Sequence, residues 1–232
     1  MMKASPAARS WIAAGVRHEL LTRVLPALRH DMVGPVSVMR MGMLMLKRQV
    51  ESSSIDSQAC TERVALIDDQ IGQLIAGVRS LRNWELATTD EGTTRSALVE
   101  QCVALLRPAF SLHGVQLEIA PSLQPRAGEP CWPRAAALRY LLLCGLSYLH
   151  DAGPVSGTIT LAADDQDALT LRMRPSLDGA AEQLMLEGAA AHRAPRRLAI
   201  DAVALQSLAD DLGYEVTVSD DATVRFSLAA RQ

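Results

Sequence analysis

The residues with the clearest chemical potential are His30 and Asp31, followed by Pro35. A neutral imidazole is a nucleophile near pH 7, because its reference pKa is about 6.5, and an adjacent carboxylate can orient the ring or accept its proton. Pro35 stands in a sequence that otherwise predicts an unbroken helix, where it costs about 3 kcal/mol by removing a backbone donor and crowding the carbonyl of Asp31. This combination predicts a phosphoryl-accepting histidine.

The helix expected to carry His30 has apolar residues at alternating steps of four and three. These residues are Leu21, Leu25, Leu28, Met32, Pro35, Met39, Gly42 and Leu46. Such a pattern is typical of a coiled-coil seam. Because His30 falls off this seam, its ring is expected on the flank of the helix, open to a partner and to water.

A second stretch repeats the same alternation of steps. Its apolar residues are Cys60, Val64, Ile67, Ile71, Leu74, Val78 and Leu81. The polar connection at residues 51–56 is short enough to fold the two helices into an antiparallel hairpin. A lone hairpin cannot bury both stripes fully, whereas two hairpins can close a four-helix bundle. The sequence therefore predicts a homodimer.

The composition excludes several classes of function. The chain has 232 residues, a hydrophobic fraction of 49% and a formal net charge of -3, which fits one or two globular domains and gives no support for nucleic-acid binding. Four scattered cysteines without a Cys-x-x-Cys motif predict reduced thiols rather than disulfides or a zinc site. The apolar run after Trp11 ends too early for a signal peptide or a membrane span, so a cytoplasmic location is expected.

A composition shift predicts the domain organisation. We expect a helical hairpin at residues 1–86, a polar linker at 87–95 and a second domain at 96–232. In the second domain, the patterns predict helices near 96–112, 133–150 and 196–212, and strands near 115–120, 158–162, 168–173, 214–218 and 223–228. Helices with an antiparallel-leaning sheet favour an α/β sandwich, which makes the whole chain an α+β protein.

With these features the chain resembles the cytoplasmic core of bacterial sensor histidine kinases. In that family a dimerisation and histidine-phosphotransfer domain precedes an ATPase-like domain of the Bergerat type, and the resemblance covers most of residues 15–232. His30, Asp31 and Pro35 match the phospho-acceptor box, in which the histidine takes the phosphoryl group and the acid assists as general base. Residues 96–119 resemble the entry helix and first strand of the nucleotide-binding domain. The resemblance implies receiver domains of response regulators as partners.

The family's nucleotide site is poorly matched in this chain. The corresponding positions are Cys144, Tyr148, Asp178, Pro195, Arg196 and Arg197. Cys144 and Tyr148 replace two asparagines that face magnesium and the phosphates, although neither side chain is a good magnesium ligand. Only a displaced Asp178-Gly179 remains of the turn that reads adenine. The phosphate loop has lost its glycines and, at Pro195, an amide donor, which argues against conventional ATP binding even though the two arginines could hold an anion.

An intact phospho-acceptor box beside a degenerate nucleotide site predicts a histidine phosphotransferase of a phosphorelay. His30 would accept a phosphoryl group from a receiver aspartate and pass it to a second receiver. The receiver would supply the magnesium, and the chain itself would need no cofactor or metal. Two alternatives stay open: a divergent ATP-dependent sensor histidine kinase, and a catalytically silent dimer that binds and regulates a response regulator.

Receiver docking is expected around His30 and on the facing part of the second helix. The predicted contact residues are Ala27, Gly34, Ser37, Ile71, Leu74 and Val78. The resemblance also implies that threonine or asparagine at position 34 would place a water for dephosphorylation. Gly34 has no side chain to do so, and weak phosphatase activity is expected.

Overall fold

The computed structural model describes residues 6–52, 54–81, 84, 92–153, 156–176, 198–219 and 222–231. Four predicted nucleotide-site positions, Asp178, Pro195, Arg196 and Arg197, lie outside the described residues, as does most of the predicted linker. The chain divides into two compact units. One comprises Met1–Val24 together with Thr89–Gln232, and the other comprises Leu25–Thr88.

The unit Leu25–Thr88 is a helical hairpin. It contains the later part of helix α1 (Pro6–Val50) and all of helix α2 (Ser57–Leu81), whose first amides at Gln58 and Ala59 donate to the Asp56 carboxylate. A Cβ atom placed on Gly42 would lie 3.0 Å from Ile67 Cγ1, and one placed on Gly77 would lie 3.4 Å from Met32 Cγ. Because the earlier residue of α1 meets the later residue of α2, the helices run antiparallel.

The apolar seam of α1 faces α2 in this hairpin. Leu28, Pro35 and Gly42, at steps of seven, are buried, while Met32 and Met39 are half-buried. Pro35 is accommodated inside α1 without ending the helix. The seam of α1 therefore lies along its contact with α2.

The other unit is built around a mixed sheet. Its elements are β1 (Thr93–Thr94), α3 (Arg95–Leu112), β2 (Val115–Ile119), β3 (Cys131–Trp132), α4 (Ala135–Ala152), β4 (Gly157–Asp164), β5 (Ala168–Pro175), α5 (Ala202–Leu212), β6 (Val216–Ser219) and β7 (Thr223–Ser227). Among the described residues, five strands follow the order β2-β4-β5-β7-β6. The β2–β4 pair is parallel and the other pairs are antiparallel. The α+β class, the hairpin and the α/β sandwich are confirmed.

Helix α4 forms the centre of the core. Its residues 135–149 are all buried, and it packs on β5 and β7. Gly145 marks the side that faces the sheet, because a Cβ atom there would lie 2.9 Å from Leu171 Cδ1 and 3.6 Å from Val224 Cγ1. Close approach of the helix to the sheet thus depends on a glycine.

Helix α5 begins later than the sequence pattern predicts. Residues 198–201 are not helical, and α5 starts at Ala202 because the Asp201 carboxylate accepts a hydrogen bond from the amide of Ala204 at 2.8 Å. The predicted start near residue 196 is therefore wrong over the described part of this segment. The helix ends at Gly213, whose φ of 78° is the left-handed conformation that glycine adopts without strain.

The first half of α1 packs within the sheet-containing unit. Ala13, Val16, Leu20 and Val24 are buried along one stripe of this segment. Arg17 forms an ion pair with Asp211 of α5. The first half of α1 thus belongs to the same compact unit as the sheet, whereas the predicted hairpin domain included it. The predicted domain boundaries at residues 86 and 96 stay a prediction.

Candidate functional site

His30 stands at the surface of α1 within the hairpin unit. Its side chain is 88% exposed, and that of Asp31 is 70% exposed. The Nδ1 atom of His30 lies 3.5 Å from Oδ1 of Asp31, which is too long for a good hydrogen bond and gives a weak, solvent-screened contact. The ring is therefore close to a carboxylate that can take or hold a proton, but it is not locked in place.

The position of Asp31 makes the two ring nitrogens of His30 different. A carboxylate beside Nδ1 stabilises the tautomer that carries its proton there. The lone pair is then on Nε2, the ring nitrogen that is not turned toward Asp31. A neutral imidazole of this tautomer can attack an electrophilic phosphorus atom through Nε2.

Small residues surround His30 on its helix face. Ala27 is half-buried, Gly34 has nothing within 4 Å of where its Cβ would be, and Ser37 turns its hydroxyl to the carbonyl of Val33 at 3.1 Å. Residues three, four and seven positions away share a face of a helix. The structure thus brings the three predicted contact residues of α1 to one open surface around the histidine.

The predicted contact residues of α2 lie at a similar level along the hairpin. Since residue 42 meets 67 and residue 32 meets 77, the register places Val78 level with Asp31 and Leu74 level with Pro35. The side chains of Ile71 and Val78 are 42% and 51% exposed, and Leu74 is half-buried.

Cys144 and Tyr148 lie in the other unit, inside α4. Their exposed fractions are 0% and 2%, so neither side chain is open to a ligand in this structure. Burial raises the pKa of the Cys144 thiol well above its ordinary value, which keeps it protonated. Within the described residues, no cluster of three or more His, Cys, Asp or Glu side chains is arranged to hold a metal ion.

A buried ion pair beside α4 was not expected from the sequence. Arg23 of α1 donates to both carboxylate oxygens of Asp151, at 3.0 and 2.7 Å, and to Oε1 of Glu19 at 3.0 Å. The side chains of Arg23 and Asp151 are only 6% and 13% exposed. The only sequence signal was the Glu19–Arg23 spacing of four residues, because Asp151 lies 128 residues away.

Asp151 is held as a carboxylate by its donors. Burial by itself would raise its pKa, but hydrogen bonds from His150, Arg23 and the backbone amide of Ile200 lower the pKa to about 2. His150 Nδ1 lies 3.0 Å from Oδ1 of Asp151, and the Ile200 amide lies 2.8 Å from Oδ2. One carboxylate thus connects α1, α4 and the segment that leads into α5.

The family resemblance places the end of a phosphate loop in the segment before α5. In its described part, the Leu198 carbonyl accepts a hydrogen bond from Arg23 at 2.8 Å, and the Ile200 amide is taken by Asp151. The Asp201 carboxylate occupies the amino terminus of α5. An acidic side chain at this position competes with any other anion for the helix amides.

Comparison with known sequences identifies no family. No protein-family model matches the chain, and no curated protein matches it. No described helix combines the length and apolar character needed to cross a bilayer.

Comparison with solved structures finds proteins of the class that the sequence resembles. A bacterial phosphotransferase matches with 18% identity and a TM-score of 0.32, over 97% of this chain and 98% of that chain. A histidine kinase from Burkholderia phymatum STM815 matches with 16% identity and a TM-score of 0.39, over 88% and 99% of the two chains. Histidine kinase ThkA in complex with response regulator protein TrrA matches with 11% identity and a TM-score of 0.35, over 97% and 67%.

Proposed function

We propose that this chain is a histidine phosphotransferase of a phosphorelay, with His30 as the phosphoryl carrier. The observation that carries this proposal is the exposed imidazole of His30 with a carboxylate beside its Nδ1 atom and small residues around it. An exposed surface with a nucleophile at its centre suits a partner domain whose own reactive group must come within bonding distance. The partner is a receiver domain phosphorylated on an aspartate.

The transfer proceeds in two steps, uptake of the phosphoryl group by His30 and its release to a second receiver. Nε2 of His30 attacks the phosphorus atom of the aspartyl phosphate, the P–O bond to the receiver breaks, and the receiver aspartate leaves as a carboxylate. The resulting phosphohistidine keeps its proton on Nδ1, where the negative charge of Asp31 stabilises it. A second receiver aspartate then attacks the phosphorus and the P–N bond breaks. The receiver would supply magnesium, whose charge would offset that of the transferred group.

The described part of the sheet-containing unit supports a relay that runs without ATP. Cys144 and Tyr148 are enclosed by protein, and the carboxylate of Asp201 caps the helix terminus where a phosphate would otherwise sit. Magnesium prefers oxygen ligands, and neither side chain on α4 provides a good one. An ATP-dependent kinase would need this face of α4 to be open.

A second copy of the chain is part of the proposal. Many apolar side chains of the hairpin are exposed in the single chain: Val36, Val38, Met41, Met43, Leu44, Met45, Val50, Val64, Leu66, Ile71, Ile75, Val78 and Leu81. Large exposed apolar surfaces often mark a site of protein–protein contact. Two hairpins packed as a four-helix bundle would cover part of it while leaving the off-seam His30 accessible. We place this homodimer in the cytoplasm, where receiver domains operate.

A reconstituted relay tests the function. A receiver domain labelled with radioactive phosphate on its aspartate is mixed with the chain, and a second, unlabelled receiver is then added. We expect label to move from the first receiver to the chain and then to the second receiver. A chain that binds the receivers without ever carrying label would be a silent regulator, and the proposal would then be wrong.

Bulk added at Ser37 is expected to slow the transfer. The Ser37→Phe variant places a large ring two helical turns from His30 on the same face, and we expect the transfer rate to fall by about tenfold or more, because misplacement of reacting groups by about 1 Å can cost two orders of magnitude. Ser57→Phe is the matched control. Ser57 is also exposed but lies about 30 Å along the hairpin from the level of His30. Equal transfer rates for the two variants would argue against docking on this surface.

The chain is expected to be a poor phosphatase. Gly34 offers no side chain to hold a water against the receiver phosphoryl group. The test uses the His30→Ala variant, because this variant cannot take the phosphoryl group back. A phosphorylated receiver should have the same half-life with this variant as it has alone. A Cβ atom at position 34 meets nothing within 4 Å, so Gly34→Asn in the same background can be accommodated as a comparison. This expectation would be wrong if the His30→Ala protein, which retains Gly34, made the receiver lose its phosphoryl group several-fold faster than the receiver does alone.

A further inference from the structure

Helix α4 is buried on a side that a two-layer sandwich would leave open. Helices packed on one face of a sheet normally bury only the stripe that faces the strands. Gly145 marks that stripe, yet every residue from 135 to 149 is buried. A further element must therefore cover the face of α4 that points away from the sheet.

That outer face is defined by helical spacing. Tyr140, Cys144, Ser147 and Asp151 follow one another at steps of four, three and four, which places them along one side of α4. Gly145, on the sheet side, is about 100° around the helix from Cys144 and further from Asp151. Because Asp151 contacts Arg23, this stripe of α4 is turned toward α1.

The first half of α1 provides the cover. Ala13, Val16, Leu20 and Val24 are 0–6% exposed on this segment. Its arginines reach two different helices: Arg17 pairs with Asp211 at the end of α5, and Arg23 pairs with Asp151 at the end of α4. Residues 6–24 therefore lie across both helices, and we call this segment the strap.

The contact between the strap and α4 is unusually polar for a buried interface. Glu19 and Arg23 of the strap are 8% and 7% exposed. On α4, the buried hydroxyl of Ser147 has no hydrogen-bond partner among the described residues. A buried hydroxyl without a partner is unfavourable and would be relieved by water. Such an interface depends on its ion pair rather than on apolar packing alone, since loss of one partner leaves a buried charge.

We propose that residues 6–24 form a strap that closes over the outer face of α4 and opens as a unit, with the Arg23–Asp151 ion pair as its latch. In the closed form, the strap excludes water and any ligand from Cys144 and Ser147. Opening hydrates the Ser147 hydroxyl and exposes the Cys144 thiol, while the sheet and its contacts with α3, α4 and α5 stay intact. Arg23 of the strap thereby controls whether the outer face of α4 is covered or exposed.

Cys144 is a natural reporter of strap opening. Its thiol is fully buried, and both Arg23 and Asp151 are near enough to act on it electrostatically. Cys102 is the internal reference, because it is equally buried on α3 and directs its Sγ atom to the carbonyl of Arg139, away from the latch. A buried, protonated thiol does not react until it is exposed.

The test is pulse labelling of the full chain with N-ethylmaleimide, with each cysteine followed by peptide mass spectrometry. In the native protein, Cys144 and Cys102 should both be protected. We expect Arg23→Ala to raise the labelling rate of Cys144 by about tenfold or more while Cys102 stays protected, because local opening and global unfolding are separate events. Arg17→Ala is the matched control. Its ion pair is about one quarter exposed, so Cys144 should stay protected there.

Two outcomes would overturn the proposal. The first is a Cys144 labelling rate in Arg23→Ala equal to that of the native protein, and the second is a rise at Cys102 in step with Cys144, which would report unfolding of the whole domain. If Arg23→Ala does not fold, Arg23→Lys replaces it, because lysine keeps the charge but cannot donate to both carboxylate oxygens as arginine does. The same selective rise at Cys144 is then expected, and its absence would overturn the proposal.

Discussion

Replacement of His30 by alanine is expected to abolish phosphoryl uptake from a phosphorylated receiver. The imidazole is the only group at the centre of this surface with a nucleophilic nitrogen, and its loss removes the atom to which the phosphoryl group would bond. We expect transfer to fall to background, a loss of about three orders of magnitude or more. The rate is measured from radioactive label on the chain after mixing with the labelled receiver.

The fold should be unaffected by this change. The His30 side chain is 88% exposed, so His30→Ala should alter the free energy of unfolding by no more than about 0.5 kcal/mol. His18→Ala is the matched control, because His18 is also an exposed histidine of α1. Label that persists on His30→Ala, or that is lost equally from His18→Ala, would show that another residue carries the phosphoryl group.

Removal of the Asp151 carboxylate is expected to have the largest effect on stability. In Asp151→Ala, the buried guanidinium of Arg23 loses its main partner and the Ile200 amide loses its acceptor. Breaking one side of a buried ion pair costs about 3–5 kcal/mol. Denaturant unfolding measures this loss. Asp164→Ala is the control, because its ion pair with Arg225 is exposed and screened by solvent, so its loss should cost far less stability than Asp151→Ala.

The contribution of Asp151 should disappear in acid. Its pKa is about 2 in the folded protein, below the ordinary value of 3.8, so the stabilisation is complete above about pH 4 and is lost as the pH falls toward 2. Asp151→Asn cannot titrate, so the difference in unfolding free energy between native protein and variant should shrink over this interval. A difference that stays constant from pH 5 to about pH 2 would contradict the assigned pKa.

Local patterns predicted the elements that depend on neighbouring residues. The heptad steps of α1 and α2 identified the two helices of the hairpin. The seam of α1 is buried at Leu28, Pro35 and Gly42, whereas the seam residues of α2 are half-buried or exposed. The alternating residues of β4 and β5 identified their antiparallel pairing. The surface position of His30 follows from the same periodicity, since it lies between two seam residues.

Long-range contacts could not be predicted in this way. The late start of α5 depends on the Asp201 cap, a local signal that the apolar pattern around Ile200 obscured. The latch depends on a pairing of Arg23 with a residue 128 positions away, and nothing in the spacing of α1 distinguishes its strap from the later part of the helix. The burial of Cys144 on a face away from the sheet likewise depends on the strap, not on the sequence of α4.

On the proposed function, His30 receives its phosphoryl group from a receiver domain and not from ATP. The most direct measurement exposes the full chain separately to magnesium-ATP and to a phosphorylated receiver domain, and then locates phosphohistidine by mass spectrometry. We expect phosphorylation of His30 with the receiver and none with magnesium-ATP. Phosphohistidine formed with magnesium-ATP alone would show an active kinase and would overturn the proposed function.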